Sequence, residues 1–114
     1  MTLEEFKSKY YLHDSFIERM YYSADNSTLT LVVNFAFWMQ NNYMQGDDEN
    51  GLIEVTFYDV SNYECKHGDP TGDFVGILDA QVANNTLTLS LLDDETGDYL
   101  ELNITSTSVE VKII

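Results

Sequence analysis

The stretch Leu29-Thr30-Leu31-Val32-Val33-Asn34-Phe35-Ala36-Phe37-Trp38-Met39 decides the fold. Leu29, Leu31, Val33, Phe35, Phe37 and Met39 stand at every second position. An extended chain points successive side chains to opposite faces, so this period of two predicts a strand with one apolar face. The other face runs Thr28, Thr30, Val32, Asn34, Ala36, Trp38 and turns from polar to apolar. Its Trp38 end is therefore expected to be covered or to bind something.

Upstream, Thr2 and Glu5 make a capping box ahead of Leu3, Phe6 and Tyr10 at helical spacing, which predicts a short amphipathic helix over residues 2 to 11. Phe16 to Ala24 reads as a strand, although Ile17 and Met20 share one face only if a bulge intervenes. Asp25-Asn26-Ser27 is a tight turn. Downstream, residues 40 to 51 are polar and acidic and read as a mobile loop. Ile53, Val55 and Phe57 open a strand that fades through Tyr63, and Asp69-Pro70-Thr71-Gly72 has turn chemistry.

Phe74 to Val82 pairs with Leu87, Leu89 and Leu91 through Asn84-Asn85, because asparagine tolerates the left-handed conformation of a two-residue hairpin loop. Turns at 93 to 97 and 105 to 108 separate two last alternating runs, Leu100 to Ile104 and Val109 to Ile113. Short links favour antiparallel neighbours. The reading is one domain over residues 1–114, mainly β and α+β at the margin. One N-terminal helix and about seven antiparallel strands form a sandwich or partly open barrel. Leu31, Val33, Phe35, Phe37, Val55, Phe57, Leu89, Leu102 and Val111 are expected to share its core, with Asp59 and Asp79 as polar groups in phase with apolar neighbours.

Twenty Asp and Glu against five Lys and Arg give a net charge of −15. No basic residue lies between Arg19 and Lys66, or between Lys66 and Lys112. Nucleic acid and anionic membranes both need a basic footprint, so neither is an expected partner. Such a field keeps copies apart in solution and steers in a basic protein. Cys65 is the single cysteine, which rules out an intrachain disulfide and suits a reducing compartment. The start is acidic rather than export-like, and the apolar runs fall far below the roughly 18 residues of a membrane span. A soluble, cytoplasmic protein is expected. The glycosylation patterns at Asn26, Asn84 and Asn103 read as chance.

Chemical motifs are weak. His13 beside Asp14 would point to opposite faces of an extended chain, so the pair and Ser15 read as partners for backbone groups where helix passes to strand. Cys65-x-His67-x-Asp69 lacks the second ligand pair of a structural zinc site. The acidic loop fails the calcium pattern: with Gly51 as its turn glycine, Gly46 and Phe57 would fall at ligand positions. Ser15 and Cys65 sit in no nucleophile elbow, and the six glycines are scattered. The reading is of no enzyme, no metal and no cofactor.

Trp38, Tyr43, Tyr58 and Tyr63 stand near the polar loops, with Asp47, Asp48 and Glu49 among them. Tyr and Trp anchor interfaces, and these acids suit a basic partner. The run Leu12-His13-Asp14-Ser15, then Ile17 and Met20, then an alternating strand and Val55-x-Phe57-x-x-Val60, resembles small uncharacterised bacterial proteins, some of them similar to immunity proteins of polymorphic toxin systems. The resemblance covers about the first half of the chain and transfers no catalytic role. It implies a β-rich cytoplasmic protein that occludes a basic toxin or other basic partner. The alternative is a small-ligand-binding barrel or sandwich with its pocket under the first helix, and an enzyme comes third.

Overall fold

The computed structural model describes residues 1–114. It contains helix α1 (Leu3–Lys9) and eight strands: β1 (Phe16–Ser23), β2 (Thr28–Ala36), β3 (Asn50–Tyr58), β4 (Asn62–Lys66), β5 (Val75–Ala83), β6 (Thr86–Asp93), β7 (Tyr99–Thr105) and β8 (Ser108–Ile113). They form one open antiparallel sheet in the order β4-β7-β6-β5-β1-β2-β3-β8. β1 and β5 share the single pair Phe16 and Gly76, so the sheet is two four-stranded halves joined at a corner. Side chains of both halves meet in one core cluster. The expected mainly β fold, a sandwich or partly open barrel, is what the chain forms.

Each device in the sequence has a visible cause in the backbone. The Glu5 amide donates to Thr2 Oγ1 at 3.1 Å and the Thr2 amide to Glu5 Oε1 at 3.0 Å, closing the capping box. Those Thr2 hydrogen bonds hold the Glu5 carboxyl below its usual pKa. α1 then buries Leu3 and Phe6, with the Phe6 ring edge-on to Phe57 at 6.1 Å. The helix stops at Lys9, short of the expected residue 11, because Tyr10 turns extended. The β1 register slips between Ile17 and Arg19, and this bulge brings Ile17 and Met20 to the same core. At the β5–β6 hairpin Asn84 and Asn85 take φ of 52° and 61°, the left-handed pair that such a turn demands.

Four expectations need correction. The central strand ends at Ala36, and Phe37–Met39 form a single 3-10 turn. Phe37 is accordingly half-buried against the core and Trp38 is 45% exposed. Val111 is also half-buried, since β8 is an edge strand, while the other seven expected core residues are buried. The run from Ile53 to Tyr63 is two strands and not one: Asp59 adopts φ 50° and the Val60 amide donates to Ser27 O at 2.8 Å. That turn carries β4 to the far edge beside β7, which makes eight strands. Asp59 in this turn and Asp79 beside a bulge between Ile77 and Asp79 are both exposed, so neither puts a polar group into the core.

Candidate functional site

The loop between β2 and β3 is held in a defined shape by short-range bonds. The Trp38 amide donates to Glu49 O at 3.1 Å, which clips the two ends together. The Tyr43 amide donates to Gln40 O, and the Tyr43 hydroxyl to Asp47 O at 3.2 Å. Asp47 accepts from the Met44 amide at 3.0 Å. Gln40 spans further: its Nε2 donates to Tyr11 O and Ala36 O, and its Oε1 accepts from the Tyr11 amide. It thereby ties the loop to the chain leaving α1. Phe37 can lie over the start of β3 because residue 51 is glycine; a Cβ there would sit 2.5 Å from Phe37 Cε2.

The outcome is a recess of ≈ 270 Å³ lined by Phe37, Gln40, Asn42, Tyr43, Asp47 and Asp48. Tyr43 is half-buried beside it, and Asp47, Asp48 and Glu49 are exposed. The structure thus brings five of the expected residues into one loop. It separates Tyr58 and Tyr63 from them. Tyr58 ends β3, at the opposite end of a 9-residue strand and so roughly 25–30 Å away at the usual rise. Its hydroxyl donates to Glu110 Oε2 at 2.9 Å, and that bond to a carboxylate holds its pKa above the usual range. Tyr63 on β4 lies with its ring 5.0 Å from Tyr22.

His13, Asp14 and Ser15 occupy the turn before β1, where Asp14 takes φ 64°. Because this turn is not extended, the two side chains do approach, His13 Nε2 lying 3.5 Å from Asp14 Oδ1; the expectation of opposite faces does not hold. His13 Nδ1 donates to Leu78 O at 2.8 Å and the Asp14 amide to Ile77 O at 2.9 Å. Ser15 O accepts from the Ile77 amide, and the buried Ser15 Oγ accepts from the Ala36 amide at 3.0 Å. These contacts fasten the entry of β1 to both β5 and β2.

Cys65, His67 and Asp69 do not converge on one point, and no group of three or more His, Cys, Asp or Glu side chains is placed to hold a metal ion. Asp69 Oδ1 accepts from the Thr71 amide and hydroxyl, which keeps its carboxyl below the usual range. Cys65 packs against the core beside Leu102. Burial pushes its thiol pKa up, and the Asp69 charge adds to this. At neutral pH less thiolate is present than in an unfolded chain, so iodoacetamide is expected to alkylate Cys65 several-fold more slowly in the native protein than in urea. Equal rates would show that the β4 edge does not shelter it.

Of the five Lys and Arg side chains only Lys66 forms an ion pair, with Glu101 at 3.3 Å. Nearly all of the carboxylates are thus without a basic neighbour. A second recess, of ≈ 640 Å³, lies beneath the C-terminal end of α1 and includes Lys7, Lys9, Tyr10 and Phe37 in its wall. Sequence reasoning placed a pocket under the helix without naming residues, and it missed Gln40, whose polar setting gives no signal of its long-range bonds. No helix is long and apolar enough to cross a membrane. No protein-family model matches this chain, and searches of curated proteins and of solved structures likewise find no significant match.

Proposed function

We propose that this chain is an acidic binding protein that acts by occlusion in the cytoplasm, in the manner of an immunity protein covering a basic toxin or another basic protein. The observation that carries the reading is the loop from Phe37 to Glu49. It presents an exposed Trp38 and a half-buried Tyr43 beside Asp47, Asp48 and Glu49, in a shape its own hydrogen bonds hold before any partner arrives. A pre-shaped aromatic anchor inside an acidic rim suits a basic surface, since ordering costs are already met and charge guides the encounter. The net charge of −15 extends that guidance over most of the molecule. Tyr58 and Tyr63 lie on other elements, at the far end of β3 and on the edge strand β4, and the primary contact in this proposal excludes them.

The test uses a partner recovered by co-purification from the source cell and then measured in purified form. Replacing Asp47 and Asp48 with Asn and Glu49 with Gln is expected to slow association roughly three- to tenfold at low salt and to flatten its salt dependence, because exposed charges act mainly by steering. Trp38→Ala is expected to quicken dissociation. Should the triple variant leave the association rate and its salt slope unchanged, this loop is not the contact and its acid is a solubilising coat.

A further inference from the structure

We infer that the groove beneath the C-terminal end of α1 is a binding site for a small aromatic carboxylate; it adjoins the recess of the acidic loop and shares Phe37, Gln40 and Asn42 with it. Its volume of ≈ 640 Å³ falls within the range of about 300–1,000 Å³ usual for small-molecule sites. The apolar part of its wall is mostly aromatic, with Met39 and Ile113 completing it: Phe35 stands edge-on to Tyr10 at 5.9 Å and to Phe37 at 5.4 Å. The half-buried Tyr10 and Phe37 offer a planar ligand ring surface to pack on, with the buried Phe35 backing both.

The polar part of the wall has an unusual sign for this molecule. Twenty of the 114 residues are acidic, yet no Asp or Glu lines the groove, whereas Lys7 and Lys9 both do. Neither lysine has a carboxylate within ion-pair distance, and Lys9 Nζ lies 5.7 Å from the Tyr10 ring centroid, over the aromatic wall. Asn41 and Asn42 also line the groove. The neighbouring Gln40 spends its amide on Tyr11 and Ala36, which fixes that wall without filling the groove. The unpaired Lys9 ammonium over the Tyr10 ring and the carboxamides beside it can receive one carboxylate while the slot takes the ring, and Lys7, two residues earlier and so on another side of the helix, adds positive potential. The charge of −15 on the whole surface opposes a ligand of several negative charges, such as a nucleotide, more strongly than one of a single charge.

The probe is naphthoate, titrated by calorimetry against the full chain beside naphthalenemethanol, its neutral counterpart, and a naphthyl quaternary ammonium. Naphthoate is expected to bind one to one and more tightly than either control. Lys7→Gln with Lys9→Gln is expected to weaken it roughly fivefold, the effect of one partly exposed charge pair together with a neighbouring positive charge. Phe37→Ala is expected to abolish the heat, and Glu95→Gln, in the turn between β6 and β7 away from the groove, to leave it unchanged. Lys7 and Lys9 are exposed, so the double variant keeps its fold, which a melting curve verifies. Absence of naphthoate binding, equal binding of the cation, or an affinity untouched by the lysine changes each overturns the proposal, and none of them bears on the acidic loop.

Discussion

Replacing Phe57 with alanine is expected to lower the unfolding free energy by about 3–5 kcal/mol, the usual cost of emptying a buried aromatic site. Phe57 is fully buried on β3, opposite Leu29 of β2 and Val109 of β8, with the Phe6 ring of α1 above it. Strands on both sides and a helix over the face leave little freedom to collapse into the void, which places the cost toward the upper end. A domain of ordinary stability holds only about 5–15 kcal/mol, so the variant should unfold at a much lower urea concentration. Phe35→Ala removes a ring of the same size, but Phe35 also walls the groove beneath α1. Water can enter the space it vacates, and the loss should be smaller than at Phe57. A Phe57→Ala cost below about 1 kcal/mol would mean that the inner face of β3 is wrongly assigned.

The two phenylalanines also mark how far the sequence could be read. Alternation from Leu29 to Phe35 was legible because burial of one face leaves a period of two in the chain itself. That signal continued through Phe37 and Met39, yet the strand stopped at Ala36, where a turn keeps Phe37 half inside and lifts Trp38 out. A residue can satisfy the apolar pattern from either conformation. The break at Asp59 was illegible for the opposite reason: aspartate is ordinary on an outward strand face, and only its left-handed φ of 50° shows the chain turning away toward β7. Pairing β4 with β7 is a long-range choice that local pattern does not encode. The same distinction governs the site. Trp38, Tyr43 and Asp47 to Glu49 were found together because one short loop carries them. Tyr58 and Tyr63 were grouped with them by nearness to polar segments in sequence, while β3 carries Tyr58 to the other end of the sheet and β4 takes Tyr63 to its far edge.

Ser15 offers the sharpest test of whether the Leu-His-Asp-Ser segment works as a fastening. Its side chain is fully buried and its Oγ accepts the Ala36 amide at the point where β2 gives way to the 3-10 turn. Ala36 is itself fully buried, so in Ser15→Ala no water reaches the orphaned amide. The expected loss is about 1–3 kcal/mol, the range for a buried donor left without a partner. A second substitution separates that penalty from mere loss of packing. Ala36 has φ −81°, near the angle a proline ring fixes, and Phe35 before it is in a strand, as a residue preceding proline must be. Ala36→Pro removes the donor, but its ring carbon projects toward the space Ser15 Oγ fills, so alone it should destabilise. Combined with Ser15→Ala, the ring occupies the vacated volume and no polar group remains unpaired. The double variant should therefore recover most of the summed loss, with a coupling of about 1–2 kcal/mol in a denaturant cycle. Strictly additive costs would show that Ser15 fills space and that the hydrogen bond to Ala36 contributes nothing to holding β1 against β2.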